Sequence, residues 1–445
     1  MVMATRPLSD VRCSKPVRLP AEREWLDPTN ELKTLRETQP LSRFRFPDGR
    51  AGWLVTSQKL ARVVLSDPRF TRLCAQALPP EGSSTQIYYA IHHDSDFPDA
   101  LRALVDRYRS EGRLAEAFRD PQVVRSVHEC PLTSLPFFIK DAPQHTRVRR
   151  ALAGHFTVRQ AQEHRGRIKR IVADCLDAMQ RHGPPVDLAE TFAREVPTLM
   201  ACEMFGVPES ERGVFERLTG LVLRPQSGIE DILKANDEFR TFVSQIFARK
   251  RAQPGDDIFS ELVQSGKLTD EELVAASVTL LQAAHSAIAR ALTFSVYTLL
   301  KDRDRWNALR TQPGSIGTIV EELLRCAIAS QLSVRMAMED VELGGTVIKA
   351  FETVGVSFSA ANRDPEVFAD PDSVDLSRQE AAKHLTFSYG IHQCLGQHFA
   401  RLEMQIALTD LADRFPTLDF AVPPEAICWH PDRDIYAPQS LSVTW

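Results

Sequence analysis

The chain has 445 residues, 43% of them hydrophobic, and a formal net charge of −5. That composition supplies a large core, and basic residues scattered rather than blocked leave no sign of a nucleic-acid or anionic-membrane partner. Eight cysteines stand singly with no C-x-x-C pair, which speaks against a zinc ribbon, an iron–sulfur site or a disulfide framework.

Residues 1–20 are polar and punctuated by proline, a loose N-terminal tail without the apolar segment of a signal peptide. No run of 18 apolar residues occurs, so a cytoplasmic protein with no membrane anchor is expected. Arg43–Ser57 alternates around Pro47-Asp48-Gly49 and predicts a β-hairpin. Gln58–Phe70 predicts a short helix that stops before Pro68. Residues 75–135 are less regular, although Asp96–Phe118 has helical periodicity with Leu101, Leu104, Val105 and Tyr108 on one face. From His145 to about Leu300 almost everything predicts helix. The strongest case is Thr269–Leu300, which opens on a threonine N-cap and acids, then is apolar nearly all round, as a buried central helix would be. Ser315–Ala327 predicts another helix, and Asp340–Asp364 predicts strands broken at Gly344-Gly345. The fold class expected is mostly α with a small β part.

Leu385–Leu408 reads LTFSYGIHQCLGQHFARLEMQIAL. Cys394 lies between Gly390 and Gly396, His392 precedes it, and an apolar-periodic run follows: Leu395, Phe399, Leu402, Ile406. A thiol at a helix mouth is drawn toward thiolate by unpaired N–H groups. The glycines let backbone approach a flat ligand, and His392 offers an N–H to a nearby anion. Together these features suit an axial thiolate to heme iron, although a cysteine standing alone is more often a buried structural residue.

The segment resembles the heme-binding signature of the cytochrome P-450 family, F-G-x-G-x-H-x-C-x-G. Phe387, Gly390, His392, Cys394 and Gly396 match, and Ser388 stands where the family usually has glycine, a departure that a turn tolerates. Further matches follow: Glu322 and Arg325 supply the E-x-x-R pair, and Arg378 is the third member of that ion-pair cluster. Lys140–Leu152 resembles the family's D-P-P-E-H-T-R-L-R-R segment, and Ala360–Arg378 resembles the stretch before the cysteine loop. The resemblance covers about residues 21–445 and implies a single-domain cytochrome P-450 fold, overriding the two or three domains that length alone suggests.

The resemblance implies heme b as cofactor, with Cys394 as the axial ligand of its iron. His145, Arg149, Arg335 and His392 match positions that hold the heme propionates, and Phe387 and Gly396 also belong to the heme-binding set. Two carboxylates enclosed in protein need such cationic or N–H partners. Glu322, Arg325 and Arg378 are expected to be structural. The family's oxygen-activating helix usually carries A-G-x-D/E-T, where glycine leaves room for O2 and the acid and alcohol relay protons. Here Ala283, Ala284, His285, Ser286 and Ala287 occupy those places, with Ala287 35 positions before Glu322. The catalytic positions are therefore Ala284, Ser286 and Ala287, and both members of the usual proton relay are replaced. Three readings stay open: O2 activation with protons from water, Ser286 or substrate; coupling or ring closure of an activated aromatic substrate; or use of peroxide, for which Arg290 is a weak candidate.

Between Arg72 and Asp141 lie 68 residues, more than common bacterial members carry. An enlarged lid over the substrate is expected across 75–135, and Val214–Gly228, Ala329–Arg335 and Asp434–Ser440 match stretches that usually line the pocket. No fused flavin or ferredoxin domain is seen, so electrons from NAD(P)H are expected through a ferredoxin and ferredoxin reductase, with Arg147, Arg150 and Arg401 offering a basic docking surface. The reaction expected is oxygen insertion into a small natural product. The alternatives are oxidative coupling and, in another class, a non-catalytic auxiliary relative, which would tend to have lost the thiolate.

Overall fold

The computed structural model describes residues 30–46, 51–73, 91–92, 97–118, 120–130, 133–222, 229–327, 332–429 and 437–445. The tail expected at 1–20, the hairpin turn, part of the lid and part of each pocket-lining stretch lie outside the described residues.

The chain opens with helix α1 (Asn30–Thr38) and the antiparallel hairpin β1 (Leu41–Arg45) and β2 (Ala51–Val55), in the register Leu41 to Val55. Helix α2 (Gln58–Ser66) follows, capped by the Ser57 side chain, and β3 (Phe70–Thr71) ends the segment. The segment before Asp141 holds α3 (Asp99–Ser110), α4 (Leu114–Ala117) and α5 (Pro121–Glu129). The single helix expected to reach Phe118 is broken after α3, where Gly112 takes φ 71°. Val105, Val123, Val124 and Val127 of these helices share one apolar cluster with Phe44, Phe46 and Leu54 of the hairpin segment.

Helices α6 (Gln144–Ala153), α7 (Val158–Glu163) and α8 (Arg165–His182) lead through β4 (Val186–Asp187) to α9 (Glu195–Phe205), α10 (Arg212–Val222), α11 (Ile229–Ala252) and α12 (Ile258–Ser265). The central helix α13 (Asp270–Leu300) starts in a capping box: Thr269 Oγ1 accepts the Glu272 N–H and Glu272 Oε2 accepts the Thr269 N–H. It is long and apolar enough by composition to cross a membrane, yet it packs against α9, α11, α14 (Arg303–Thr311) and α17 (Gln397–Arg414) as the axis of the main core. Beyond the exposed Asp270 and Glu271, both ends of α13 are buried, whereas Gln282–Arg290 in its middle is mostly half-buried.

After α15 (Ile316–Cys326) come β5 (Leu332–Ala337), the tight hairpin β6 (Val341–Leu343) and β7 (Thr346–Ile348), and β8 (Thr353–Ser357). The hairpin turns on Gly344 and Gly345 with φ 55° and 77°. A short helix α16 (Phe358–Ala361) precedes the cysteine loop, and β9 (Asp419–Phe420) and β10 (Ser442–Thr444) close the chain. The main sheet has the order β1-β2-β8-β5-β3, with β2 and β8 parallel, and a small sheet has the order β4-β10-β9. β5 is buried at every residue, Ser333 and Arg335 included, although its sequence alternates them with Leu332, Val334 and Met336.

Candidate active site

The cysteine loop is a short, strained turn between Leu385 and α17. The Ser388 N–H donates to the Leu385 carbonyl at 2.7 Å and the Cys394 N–H donates to the Phe387 carbonyl at 2.8 Å. Gly390 adopts φ 74°, and a Cβ there would lie 2.6 Å from the Leu65 carbonyl oxygen of α2. Close packing on α2, not approach to a ligand, is what demands that glycine. Gly396 occupies the N-cap position of α17, and no atom of the described residues lies within 4 Å of its would-be Cβ.

Ser388 has φ 62° and a buried hydroxyl without a hydrogen-bond partner among the described residues. The place where the family prefers glycine is thus one that needs a left-handed backbone, and serine there is more costly than the sequence suggests. Ser388→Gly is expected to stabilise the holoprotein by about 1 kcal/mol. Thermal unfolding of the two proteins checks this, and an unchanged or lower midpoint argues against strain.

Cys394 keeps exposed surface although protein encloses it deeply, so that surface opens inward. Burial pushes its thiol pKa up, more than the Gly396 N–H, Arg149 and Arg401 pull it down. The helix mouth therefore does not ionise the thiol by itself. A thiolate at this place needs a bound metal cation, which deprotonates a coordinating thiol outright.

A cluster of donors gathers beside the loop. His145 of α6 is 1% exposed, and neither ring nitrogen has a hydrogen-bond partner among the described residues. Its ring lies 4.4 Å from that of His392, whose nitrogens are likewise unpartnered by hydrogen bonds. Arg335 of β5 is also 1% exposed; its Nη1 donates to Ser333 Oγ and the Val334 carbonyl, and its Nη2 donates to nothing described. Burial lowers the Arg335 pKa to about 9, with nearby Arg72 adding to the effect. Burial likewise lowers His145 to about 3 and His392 to about 4. Arg149 is half-buried on α6 and lies within electrostatic reach of Cys394.

Sequence reasoning missed two members of this cluster. Arg72 sits 5.1 Å over the Phe138 ring, and burial lowers its pKa to about 10. Asp141 ties the region together. It accepts from the Thr71 hydroxyl and from the Arg72 N–H at 3.3 Å, and lies 3.8 Å from His392 Nε2 and 3.5 Å from His128 Nδ1 of α5. Burial works against its charge, but these partners outweigh it and hold the carboxyl well below the usual range. Buried arginines and histidines with idle donors are what two carboxylates would satisfy, so the residues present fit the propionates of a heme.

On α13, Ala284, Ser286 and Ala287 are half-buried in the middle of the helix. His285 turns instead toward α10, its ring 5.4 Å from that of Phe215 in an edge-on contact. The Glu322 carboxylate receives the Arg325 fork at 2.7 Å on each oxygen and Arg378 Nε at 3.2 Å, all three residues buried. The basic surface expected for docking is reduced, because Arg147 pairs with Glu272 and Arg401 with Glu321, while Arg150 stays exposed.

The family model for cytochrome P450 matches residues 317–426. Cytochrome P450 105C1 of Streptomyces sp is 35% identical over 97% of this chain and 99% of its own. The chain belongs to the cytochrome P450 family. Pentalenic acid synthase of Streptomyces avermitilis is 34% identical over 97% of this P450 and 98% of itself. The solved structure of CYP105P1 in complex with filipin I superposes with a TM-score of 0.80, at 30% identity, covering 97% of this chain and 99% of that one. As a P450 the protein is an oxidoreductase of the monooxygenase type, with heme b on a cysteine thiolate, O2 as oxidant, a small-molecule substrate and a redox partner as electron source.

Proposed function

We propose that this P450 inserts oxygen into an unactivated C–H bond of a small natural product in the cytoplasm, drawing electrons from a ferredoxin and its reductase. The observation that carries the reading is the set of buried, idle donors on His145, His392 and Arg335 beside the enclosed Cys394. Cys394 would hold the iron, and His145, Arg149, Arg335, His392 and Arg72 would hold the propionates. When bound, the heme supplies the activation of O2. The chain's part is to enclose the reaction and to place a proton. With Ala287 in place of the alcohol and Ser286 in place of the acid, the Ser286 hydroxyl holds a water in the relay's stead. The small side chains of Ala283, Ala284 and Ala287 leave an apolar, roomy ceiling. The insertion holding α3–α5 acts as lid, supported by the approach of His128 on α5 to Asp141. Names among the relatives, pentalenic acid synthase and the filipin I complex, support a natural-product substrate.

The replaced acid and alcohol also favour a second reading, oxidative coupling or cyclisation of an aromatic substrate, which asks less of a proton relay. One experiment separates the two. The ferric protein is titrated with macrolides, terpenoids, fatty acids and aromatic cyclic dipeptides while the Soret band is followed, and the compound that shifts it is turned over. A product heavier by one oxygen supports insertion; loss of two hydrogens supports coupling. In the same assay Ser286→Glu with Ala287→Thr is expected to change product ratio and coupling to NADPH, and unchanged values refute the part given to Ser286.

A further inference from the structure

On the cysteine side of the loop lies a charged pair that the propionate set does not use. The guanidinium of Arg401 on α17 stands 4.5 Å over the ring of Phe387, the residue whose carbonyl accepts the Cys394 N–H. Glu321 of α15 pairs with it, Nε to Oε1 at 2.5 Å and Nη2 to Oε2 at 3.2 Å, while Gln397 Oε1 accepts from Nη1 at 2.9 Å. Behind Glu321 stands His384, its Nε2 3.2 Å from Oε2. The His384 Nδ1 accepts the Thr386 N–H at 3.1 Å, which fixes the proton of the neutral ring on Nε2, although that N–H makes no hydrogen bond among the described residues. The side chains are 23%, 14% and 1% exposed for Arg401, Glu321 and His384, so water screens these charges little. A fixed cation with a fixed anion paired to it thus stands at the ring beside the thiol.

We propose that the Glu321–Arg401 pair sets the reduction potential of the heme bound at Cys394. This rests on the assignment of Cys394 as the iron ligand. Reduction from ferric to ferrous adds one electron, supplied by the redox partner, and no proton. A cation near the thiolate favours the more negative, reduced form, and an anion disfavours it. Arg401 therefore raises the potential, and Glu321 partly offsets it. Arg401 carries its own counterion in Glu321.

The test is the midpoint potential of the heme-loaded full chain, measured by spectroelectrochemistry for wild type, Arg401→Gln, Glu321→Gln and the double variant. Arg401→Gln is expected to shift the potential down, Glu321→Gln to shift it up, and the double variant to fall between the two, below wild type. Arg401→Lys keeps the charge and is expected to hold the wild-type potential even if the glutamine variants load heme poorly. Shifts of the same sign in both single variants, or none, would overturn the proposal, since loosened packing alone carries no sign. A wild-type protein whose ferrous carbon monoxide complex lacks the red-shifted Soret band of a thiolate ligand would instead refute the assignment of Cys394.

Discussion

Glu322→Ala is expected to cost the fold about 3–5 kcal/mol and to leave much of the expressed protein without heme. Glu322 is 0% exposed, and its two oxygens accept the Arg325 fork, the Arg378 Nε and the Asp375 N–H at 2.9 Å. Removing the carboxylate strands two buried guanidiniums at once. Arg325 keeps the carbonyls of Asn362, Pro371 and Ser373 as acceptors, but these carry no compensating charge. Those same contacts anchor the stretch that runs into the cysteine loop, since the Asn362 side chain accepts the Leu385 N–H at 2.7 Å and donates to Thr386. The damage therefore spreads from the ion-pair cluster to the ligand loop. Urea unfolding and the heme-to-protein ratio measure it, and a loss below 1 kcal/mol with full heme content would show that the cluster is dispensable.

Cys394→Ser is expected to abolish monooxygenase turnover while leaving the fold intact. A serine hydroxyl stays protonated at neutral pH and lacks the soft, electron-rich sulfur that drives oxygen activation in thiolate hemes. The Gly396 N–H that reaches the thiol can be accepted by a serine oxygen as well, and the backbone N–H of residue 394 to the Phe387 carbonyl survives the change. The ferrous carbon monoxide spectrum should lose its red-shifted Soret band. Cys428→Ser is the control: that thiol is exposed, and the same substitution there should alter neither spectrum nor turnover. Retained turnover in Cys394→Ser would place the iron ligand elsewhere.

What the sequence revealed and what it hid divide along contact range. The cysteine loop, the Glu322–Arg325 pair and the Thr269 cap are written in neighbouring residues, so their chemistry shows in a short window. The Glu321–Arg401 pair joins residues 80 apart, and Asp141 meets Thr71 across 70, so no spacing rule signals either. Arg401 read as a free surface cation because its partner sits on another helix. The helix-mouth argument for Cys394 gave the direction of one influence correctly, but the opposing effect of burial depends on how the whole loop is enclosed. Ser388 and Gly390 looked alike as turn residues, and only the backbone angles and the nearby Leu65 carbonyl separate a strained position from one that packing dictates.

The Asp141 carboxylate has a consequence for engineering. It contacts α5 through His128, the end of β3 through Thr71 and Arg72, and the cysteine loop through His392. The 75–135 segment is therefore not a cassette. A chimera that exchanges it removes His128, a partner of an aspartate that also contacts His392 of the cysteine loop. Substrate range and cofactor retention will move together in such exchanges, and a graft that seeks a new pocket must bring a partner for Asp141 with it.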